Sequence, residues 1–405
     1  MNTIKLYNDN VYLSECTATV TDVTEKGVIL DRTIFFPEGG GQSSDIGTLI
    51  NSSDETTYPV THASESGDAI IHEISNHNLQ VGDNVICRIN WPHRFDNMQR
   101  HCGEHLLSGA MYKLFGGVNR GFHMGEHFMT ADINLEKDPS FTEVTWEMAM
   151  EAEELVNSHI WQDLPVKAEE FSTGEEAAKM PLRKELAVDE DVRVVTIGND
   201  DVIADCVACC GTHPTSTAQI GLLKIYKVEK NKGMFRIYFE SGKRAMEDYR
   251  AKHDILTALS NRYSTGIDEL TDKIEKQEKR HEETKNTLNK LRNMLISQKT
   301  EEIKKELSAG VPFISRFYDE FTPEDIMKIG KHILQDIKGL VVAGDLNTNT
   351  LILFSDGTND CGKLVKDNAG VYNGKGGGRK DNARALFPDY GSMMLFTDAL
   401  EKLLR

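Results

Sequence analysis

Long apolar runs are missing from this sequence, and none approaches the ~18 residues that a membrane span requires. The first sixteen residues have polar residues throughout and lack the apolar stretch of a secretory signal. A cytoplasmic protein with no membrane partner is expected. A disulfide framework is missing too, because the chain has seven cysteines, an odd number. A reducing compartment fits, with thiolates available for a metal. Positive charge is scarce: 46 Lys and Arg face 64 Asp and Glu, for a net charge of −18. That excludes a protein that coats nucleic acid without specificity. The deficit is uneven, however. Residues 136–191 are heavily acidic, whereas residues 363–384 are net basic. A structured nucleic acid held by a local basic patch therefore stays open.

What is present centres on two short stretches. One is His101-Cys102-Gly103-Glu104-His105 and the other is Cys209-Cys210-Gly211-Thr212-His213. The spacing of His101 and His105 puts both imidazoles on one helix face, a turn apart. Pro92 suits a first helical turn, Phe95, Met98, Leu106 and Tyr112 recur at helical spacing, and Gly116-Gly117 can stop the helix. Around Cys209 and His213, Gly211 and Pro214 argue for a tight turn. Three imidazoles and a thiolate match the preference of zinc for nitrogen and sulfur in tetrahedral geometry. The expected ligands are His101, His105, Cys209 and His213, on one zinc per chain. Spacing does not decide among Cys206, Cys209 and Cys210; Cys209 is favoured because its separation from His213 mirrors that of the His pair. His123 and His127 read as a loop or surface pair.

Taken in order, residues 1–90 are a series of short β-rich runs separated by Gly, Asn, Asp and Ser, which suggests a small barrel or sandwich. Inside it, Thr33 leads into Phe35-Phe36-Pro37-Glu38-Gly39-Gly40-Gly41-Gln42. Such a loop exposes backbone N–H groups to a ligand with no side chains in the way. It is no Walker A loop, since the Lys-Ser/Thr is absent; a flexible hairpin turn is the plainer reading. Residues 91–245 hold the His helix, an acidic helical segment over 142–162 and mixed strands. Residues 246–308 are helical. In them an apolar seam of Ile267, Leu270, Ile274, Leu288, Leu291 and Leu295 steps by three and four around a polar middle of Gln277, His281 and Thr284. A helical hairpin and a dimeric coiled coil both satisfy that pattern. Residues 309–405 read as α/β. There Lys375-Gly376-Gly377-Gly378-Arg379-Lys380 forms a Gly-rich turn with cations suited to a phosphate backbone. The overall expectation is α+β.

With these stretches in hand, the chain resembles the alanyl-tRNA editing family: the editing domain of alanyl-tRNA synthetase and its free-standing AlaX-type relatives. The run from Thr33 to Gln42, the His101-x-x-x-His105-Leu-Leu stretch and the Cys209-x-Gly-Thr-His213 stretch stand in the family's order and spacing. The tail, with Gly376-Gly377-Gly378-Arg379, looks like a DHH-associated domain. The resemblance implies a trans-editing hydrolase that cleaves the ester joining serine, or glycine, to alanine tRNA. It also implies zinc on the four residues named above, with Thr33 and the Gly39–Gly41 loop beside the amino-acid pocket. Cys210 stands where the family commonly has Gly, and Pro214 where a β-branched residue is usual.

Four protein ligands make a closed site, the arrangement typical of structural zinc. Backbone N–H groups of Gly39, Gly40 and Gly41 are candidates to stabilise an oxyanion. Gln42 is a candidate to orient the water and Glu104 to act as general base. A pocket that hydrogen-bonds the serine hydroxyl, with Thr33 as the candidate, would reject alanine because its own polar group would be left unpaired. Two other readings use the same residues. His101-x-x-Glu104-His105 fits an inverted zinc-peptidase signature, but leaves Cys209 and His213 without a role. A tRNA-binding or scaffolding protein with structural zinc is the non-enzymatic alternative, and a homodimer through the coiled coil or the C-terminal domain fits the pattern as a partner.

Overall fold

The computed structural model describes residues 2–138 and 140–404. It falls into two compact units, Met1–Ala258 and Leu259–Arg405. Both mix helices with sheets, so the α+β expectation holds at that level.

After the short strand Ile4–Lys5, which pairs with Arg32–Thr33, and a helical turn, the first unit has seven strands: β1 (Glu15–Val23), β2 (Gly27–Leu30), β3 (Gly47–Asn51), β4 (Thr57–Val60), β5 (His62–Ser66), β6 (Ala69–Glu73) and β7 (Asn84–Ile89). They form one sheet in the order β4-β3-β7-β1-β2-β6-β5. Side chains alternate as a half-buried strand requires: Val85, Cys87 and Ile89 point inward and are at most 5% exposed. The long β1 is shared, pairing with β7 through its first half and with β2 through its second. The expected barrel does not close. Its edge strands β4 and β5 are joined only by Thr61, and no ladder links them among the described residues. Pro59 removes a donor from β4, and the Thr61 N–H is spent on the Glu73 carbonyl at 3.1 Å. The result is an open sheet around a core that includes Leu30, Phe35, Leu49 and Ile70.

Helix α1 (Trp91–Phe115) follows directly. Asn90 caps it by accepting the His93 N–H, Pro92 sits in the first turn, and Gly116 stops it with a φ of 64°. Its buried face includes both His101 and His105 and runs on through Leu106, Leu107 and Met111. After it come β8 (Val118–Met124), β9 (Met129–Asn134), α2 (Trp146–Trp161), β10 (Val166–Thr173), β11 (Glu190–Gly198), β12 (Ile203–Ala208), β13 (Leu223–Asn231) and β14 (Met234–Ser241). These strands make a four-stranded sheet, β8-β9-β14-β13, and a three-stranded one, β10-β11-β12. Between β10 and β11 the chain makes the single helical turn Gly174–Ala177.

Two buried ion pairs anchor α1. Arg94 and Asp45 are both completely buried. Arg94 also donates to the carbonyls of Val11 at 3.0 Å and Ile34 at 2.6 Å, while Asp45 accepts the Phe36 N–H at 2.7 Å. The segment that enters the Gly-rich loop is thereby tied to the start of the His helix. Arg100 donates to Glu240 at 2.8 and 2.9 Å and ties the helix to β14. Each pair has hydrogen bonds beyond the pair itself, without which a buried pair does not offset its desolvation.

Helix α3 (Gly242–Tyr263) leads out of the first unit. In the second, α4 (Leu270–Ser308) is one continuous helix of 39 residues. Ile296, Ile303 and Leu307 of α4 are buried, whereas the seam residues Leu288, Leu291 and Leu295 are exposed. A five-stranded sheet follows, of β15 (Phe313–Tyr318), β16 (Leu340–Asp345), β17 (Thr350–Ser355), β18 (Lys375–Gly378) and β19 (Asn382–Leu386), in the order β15-β16-β17-β19-β18. Helices α5 (Pro323–Ile333), α6 (Cys361–Asn368) and α7 (Tyr390–Leu404) complete the unit. The Gly-rich run Lys375–Gly378, read from sequence as a turn, is instead an edge strand paired with β19. Lys375, Arg379 and Lys380 around it are exposed. Among the described residues, no helix is long and apolar enough to cross a membrane.

Candidate metal centre

The helix α1 and the loop after β12 bring His101, His105, Cys209 and His213 together, with one ligand atom from each inside a 4.8 Å span. His101 Nε2 lies 3.2 Å from Cys209 Sγ, and His213 Nε2 lies 3.5 Å from it. Tetrahedral zinc with Zn–S of ~2.3 Å and Zn–N of ~2.0 Å separates such atoms by about 3.5 Å. The spacing therefore fits the ion. So does the environment: the three imidazoles are 2, 3 and 5% exposed. Buried groups that ionise without a compensating charge are costly, and a divalent cation supplies it.

The electrostatics prepare part of the set for a metal. Burial pushes the Cys209 thiol up, but the imidazoles of His101 and His105 against it pull it well below its ordinary value. Burial lowers His105, but the Cys209 thiolate and Asp205 outweigh burial and raise it to about 10. Burial, with the His105 charge, pushes His213 down to about 3. The set thus holds a thiolate and a neutral imidazole at His213 ready to donate, while His105 has to give up its proton to an incoming cation.

Residues that the sequence reading passed over hold this set in place. Asp205 Oδ2 lies 3.0 Å from His105 Nδ1, which aims the other ring nitrogen toward the cluster. Burial would raise Asp205, but the Arg183 guanidinium and His105 hold it below the usual carboxylate range. Arg193 donates to the carbonyls of Cys209 and Gly211 at 2.9 and 3.0 Å and clamps the loop. Gly211 has to be glycine, since a Cβ there would stand 2.7 Å from the His101 ring. Asp205 is four residues before Cys209 on a strand, a spacing with no ligand signature, and Arg183 is distant in sequence; only the fold makes them partners.

The Gly-rich loop is a tight hairpin beside the cluster. Gly39 and Gln42 exchange backbone hydrogen bonds at 3.1 and 3.0 Å, with Gly40 and Gly41 between them at φ of 58° and 82°. Both positive angles belong to a type I′ turn. The Gly39 N–H is therefore spent, while those of Gly40 and Gly41 have no internal partner among the described residues. The Gln42 side chain is buried. Its amide donates to Thr212 Oγ1 at 2.8 Å and its carbonyl accepts the Thr212 N–H at 3.0 Å. Hairpin and cluster loop are thus bolted together. Phe122 completes the wall, edge-on to His101 with ring centroids 6.0 Å apart and close against Gly41.

Glu104 and Thr33 are placed otherwise. The Glu104 carboxylate accepts from Asn119 Nδ2 at 2.6 Å and from Ser108, and it is outside the cluster. Thr33 is completely buried; its hydroxyl lies 2.7 Å from His72 Nε2 and accepts the Phe35 N–H at 3.0 Å. Next to the hairpin is a cleft of ≈ 380 Å³, bordered by Tyr7, Pro37, Gly39, Arg193 and Cys210 and not by Thr33. Glu38, Glu65, Glu170 and Asp191 face it against Lys5 and Arg193, so its walls carry an excess of negative charge. His123 is exposed on β8 and His127 on the turn after it, outside the cluster. Lys375, Gly376, Gly377, Gly378, Arg379 and Lys380 belong to the second unit.

A cluster of three imidazoles and one thiol beside a glycine hairpin is able to hold a metal ion, and the comparisons show what the chain is similar to. Residues 4–93 match the family described as tRNA synthetases class II (A), and residues 192–238 match the threonyl and alanyl tRNA synthetase second additional domain. The resemblance to the alanyl-tRNA editing family runs the length of the chain. The chain is 29% identical to the alanyl-tRNA editing protein AlaX-L of Pyrococcus horikoshii, over 98% of both. It is 29% identical to the alanine–tRNA ligase of Ignicoccus hospitalis and 28% identical to that of Pyrococcus abyssi, spanning 41% and 43% of those proteins.

Proposed function

We propose that this protein is a zinc-dependent trans-editing hydrolase that deacylates alanine tRNA mischarged with serine or glycine. The observation that carries the reading is the convergence of His101, His105, Cys209 and His213 beside the Gly40–Gly41 hairpin, in a chain similar along its length to an alanyl-tRNA editing protein. When bound, zinc would supply Lewis-acid polarisation at the aminoacyl end. The N–H groups of Gly40 and Gly41 point the hairpin toward a developing oxyanion. The acidic walls of the adjoining cleft suit the α-ammonium of an aminoacyl ester. Gln42 and Glu104 act as positioning residues, since their polar atoms are engaged by Thr212 and by Ser108 and Asn119. Thr33 holds the strand that enters the hairpin. Lys375, Arg379 and Lys380 take the tRNA backbone. On this reading the chain has four parts, residues 1–90, 91–245, 246–308 and 309–405, works in the cytoplasm and pairs with a second copy through the helical part or the tail.

Incubation with Ser-tRNA(Ala) tests the proposal. Rapid deacylation by the metal-loaded protein, lost together with zinc in His105→Ala, is the expected result. Binding without turnover would turn the reading to a scaffold, and casein cleavage to a peptidase.

A further inference from the structure

We propose that Cys16 and Cys87 form a redox-reversible disulfide within the N-terminal sheet, a modification site separate from the metal centre. The two are direct partners in the antiparallel ladder of β1 and β7. Their register pairs Ser14 with Ile89 and Val20 with Asp83, and hydrogen bonds run from the Ile89 N–H to the Ser14 carbonyl at 3.1 Å and from the Val20 N–H to the Asp83 carbonyl at 2.9 Å. Hydrogen-bonded pairs alternate along such a ladder, so Cys16 and Cys87 fall on one. The Cα atoms of such a pair lie ~5.5 Å apart. Disulfides span ~4.4–6.8 Å between Cα atoms, with a mode near that value. Directly opposed residues also project from the same face of the sheet. Both thiols are free. Cys87 is completely buried, whereas Cys16 is half-buried at the start of its strand. Cys16 is therefore the more accessible of the two thiols.

The local chemistry agrees. The neighbouring Cys87 draws the Cys16 thiol down against the effect of burial, with help from the Ile34 backbone and the Arg32 charge; Cys16, with burial, drives Cys87 up. Cys16 is then the attacking thiolate. With a low-molecular-weight disulfide such as oxidised glutathione, the Cys16 thiolate attacks one sulfur, that S–S bond breaks and one glutathione thiolate leaves. Cys87 gives its proton to that thiolate and attacks Cys16 Sγ, and the second glutathione leaves as thiolate. Two protein thiols are oxidised and one glutathione disulfide is reduced.

The test is a titration of the metal-loaded, full-length protein with oxidised and reduced glutathione, followed by alkylation under denaturing conditions and peptide mapping. The expected outcome is that alkylatable cysteines fall from seven to five. The missing pair should map to a Cys16–Cys87 cross-link that dithiothreitol reverses, with zinc content unchanged. Cys16→Ser should keep its six remaining thiols alkylatable, whereas Cys87→Ala should trap Cys16 as a glutathione mixed disulfide. The proposal is overturned if Cys16 and Cys87 are both alkylated at saturating oxidised glutathione, or if Cys16 stops at a stable glutathione adduct. It is also overturned if the lost thiols map to Cys209 and Cys210 with release of metal.

Discussion

The hydroxyl of Thr33 has two partners and no view of the cleft, so its contribution is to the fold. His72 is buried and its pKa is lowered to about 4, chiefly by burial, so it stays neutral. Its Nδ1 faces the Val28 carbonyl at 3.3 Å, which makes Nε2 the acceptor of the Thr33 proton. Thr33→Val leaves that nitrogen unpaired, at a cost of about 1–3 kcal/mol. Urea unfolding should show the loss, while the ratio of serine to alanine deacylation stays unchanged; a fallen ratio would return Thr33 to the sorting role. His72 also makes a pH prediction. Its folded pKa lies below the unfolded value near 6.5, so the unfolded chain binds the proton first as pH falls. The stabilisation is complete above ~6.5 and drains away toward pH 4, by about 3 kcal/mol in all. Unfolding free energies measured at pH 7 and pH 5 should differ less in His72→Gln than in the wild type. Asp205→Asn, which keeps the shape but removes the charge facing His105, should weaken zinc affinity about 10–100-fold in a chelator competition.

At the scale of elements, the site depends on a few connections between segments remote in sequence. Gln42 spends its whole amide on Thr212, and that is the link between the hairpin and the Cys209–His213 loop. Gln42→Ala should therefore reduce kcat for Ser-tRNA(Ala) about tenfold or more through a misplaced hairpin, with zinc content retained. Loss of zinc in this variant would mean that Gln42 supports the cluster itself. The helix α1 was legible because its punctuation is local: Asn90, Pro92 and Gly116 act within a turn of where they sit. The N-terminal strands were legible by alternation, but their closure was not. Whether β4 meets β5 depends on the missing Pro59 donor and on a Thr61 N–H drawn to β6. The Lys375–Gly378 strand was misread for a related reason. Glycine suits a turn, but it also lets an edge strand lie close against its neighbour, and here the partner is β19.

For the molecule as a whole, net charge and local charge make different statements. A chain at −18 repels polyanions at long range. Any tRNA contact has to come from places such as Arg379 and Lys380, where cations are exposed together. Arg379→Ala should weaken tRNA(Ala) binding and lower the slope of log affinity against log salt by about 1. An unchanged slope would remove that residue from the phosphate contacts.

The sequence alone determined what depends on residue type and short spacing: the paired imidazoles one helical turn apart, the thiol and imidazole of a Gly-broken turn, and the run of glycines before Gln42. The tertiary structure decided what those groups are free to do. Asp205 and Arg183 came to support His105, Gln42 and Glu104 were drawn to partners other than a water, and Thr33 was sealed beneath the sheet. The physical reason is that donor chemistry resides in a side chain, whereas hydrogen-bond allegiance is settled by competition among neighbours that only folding brings within about 3 Å.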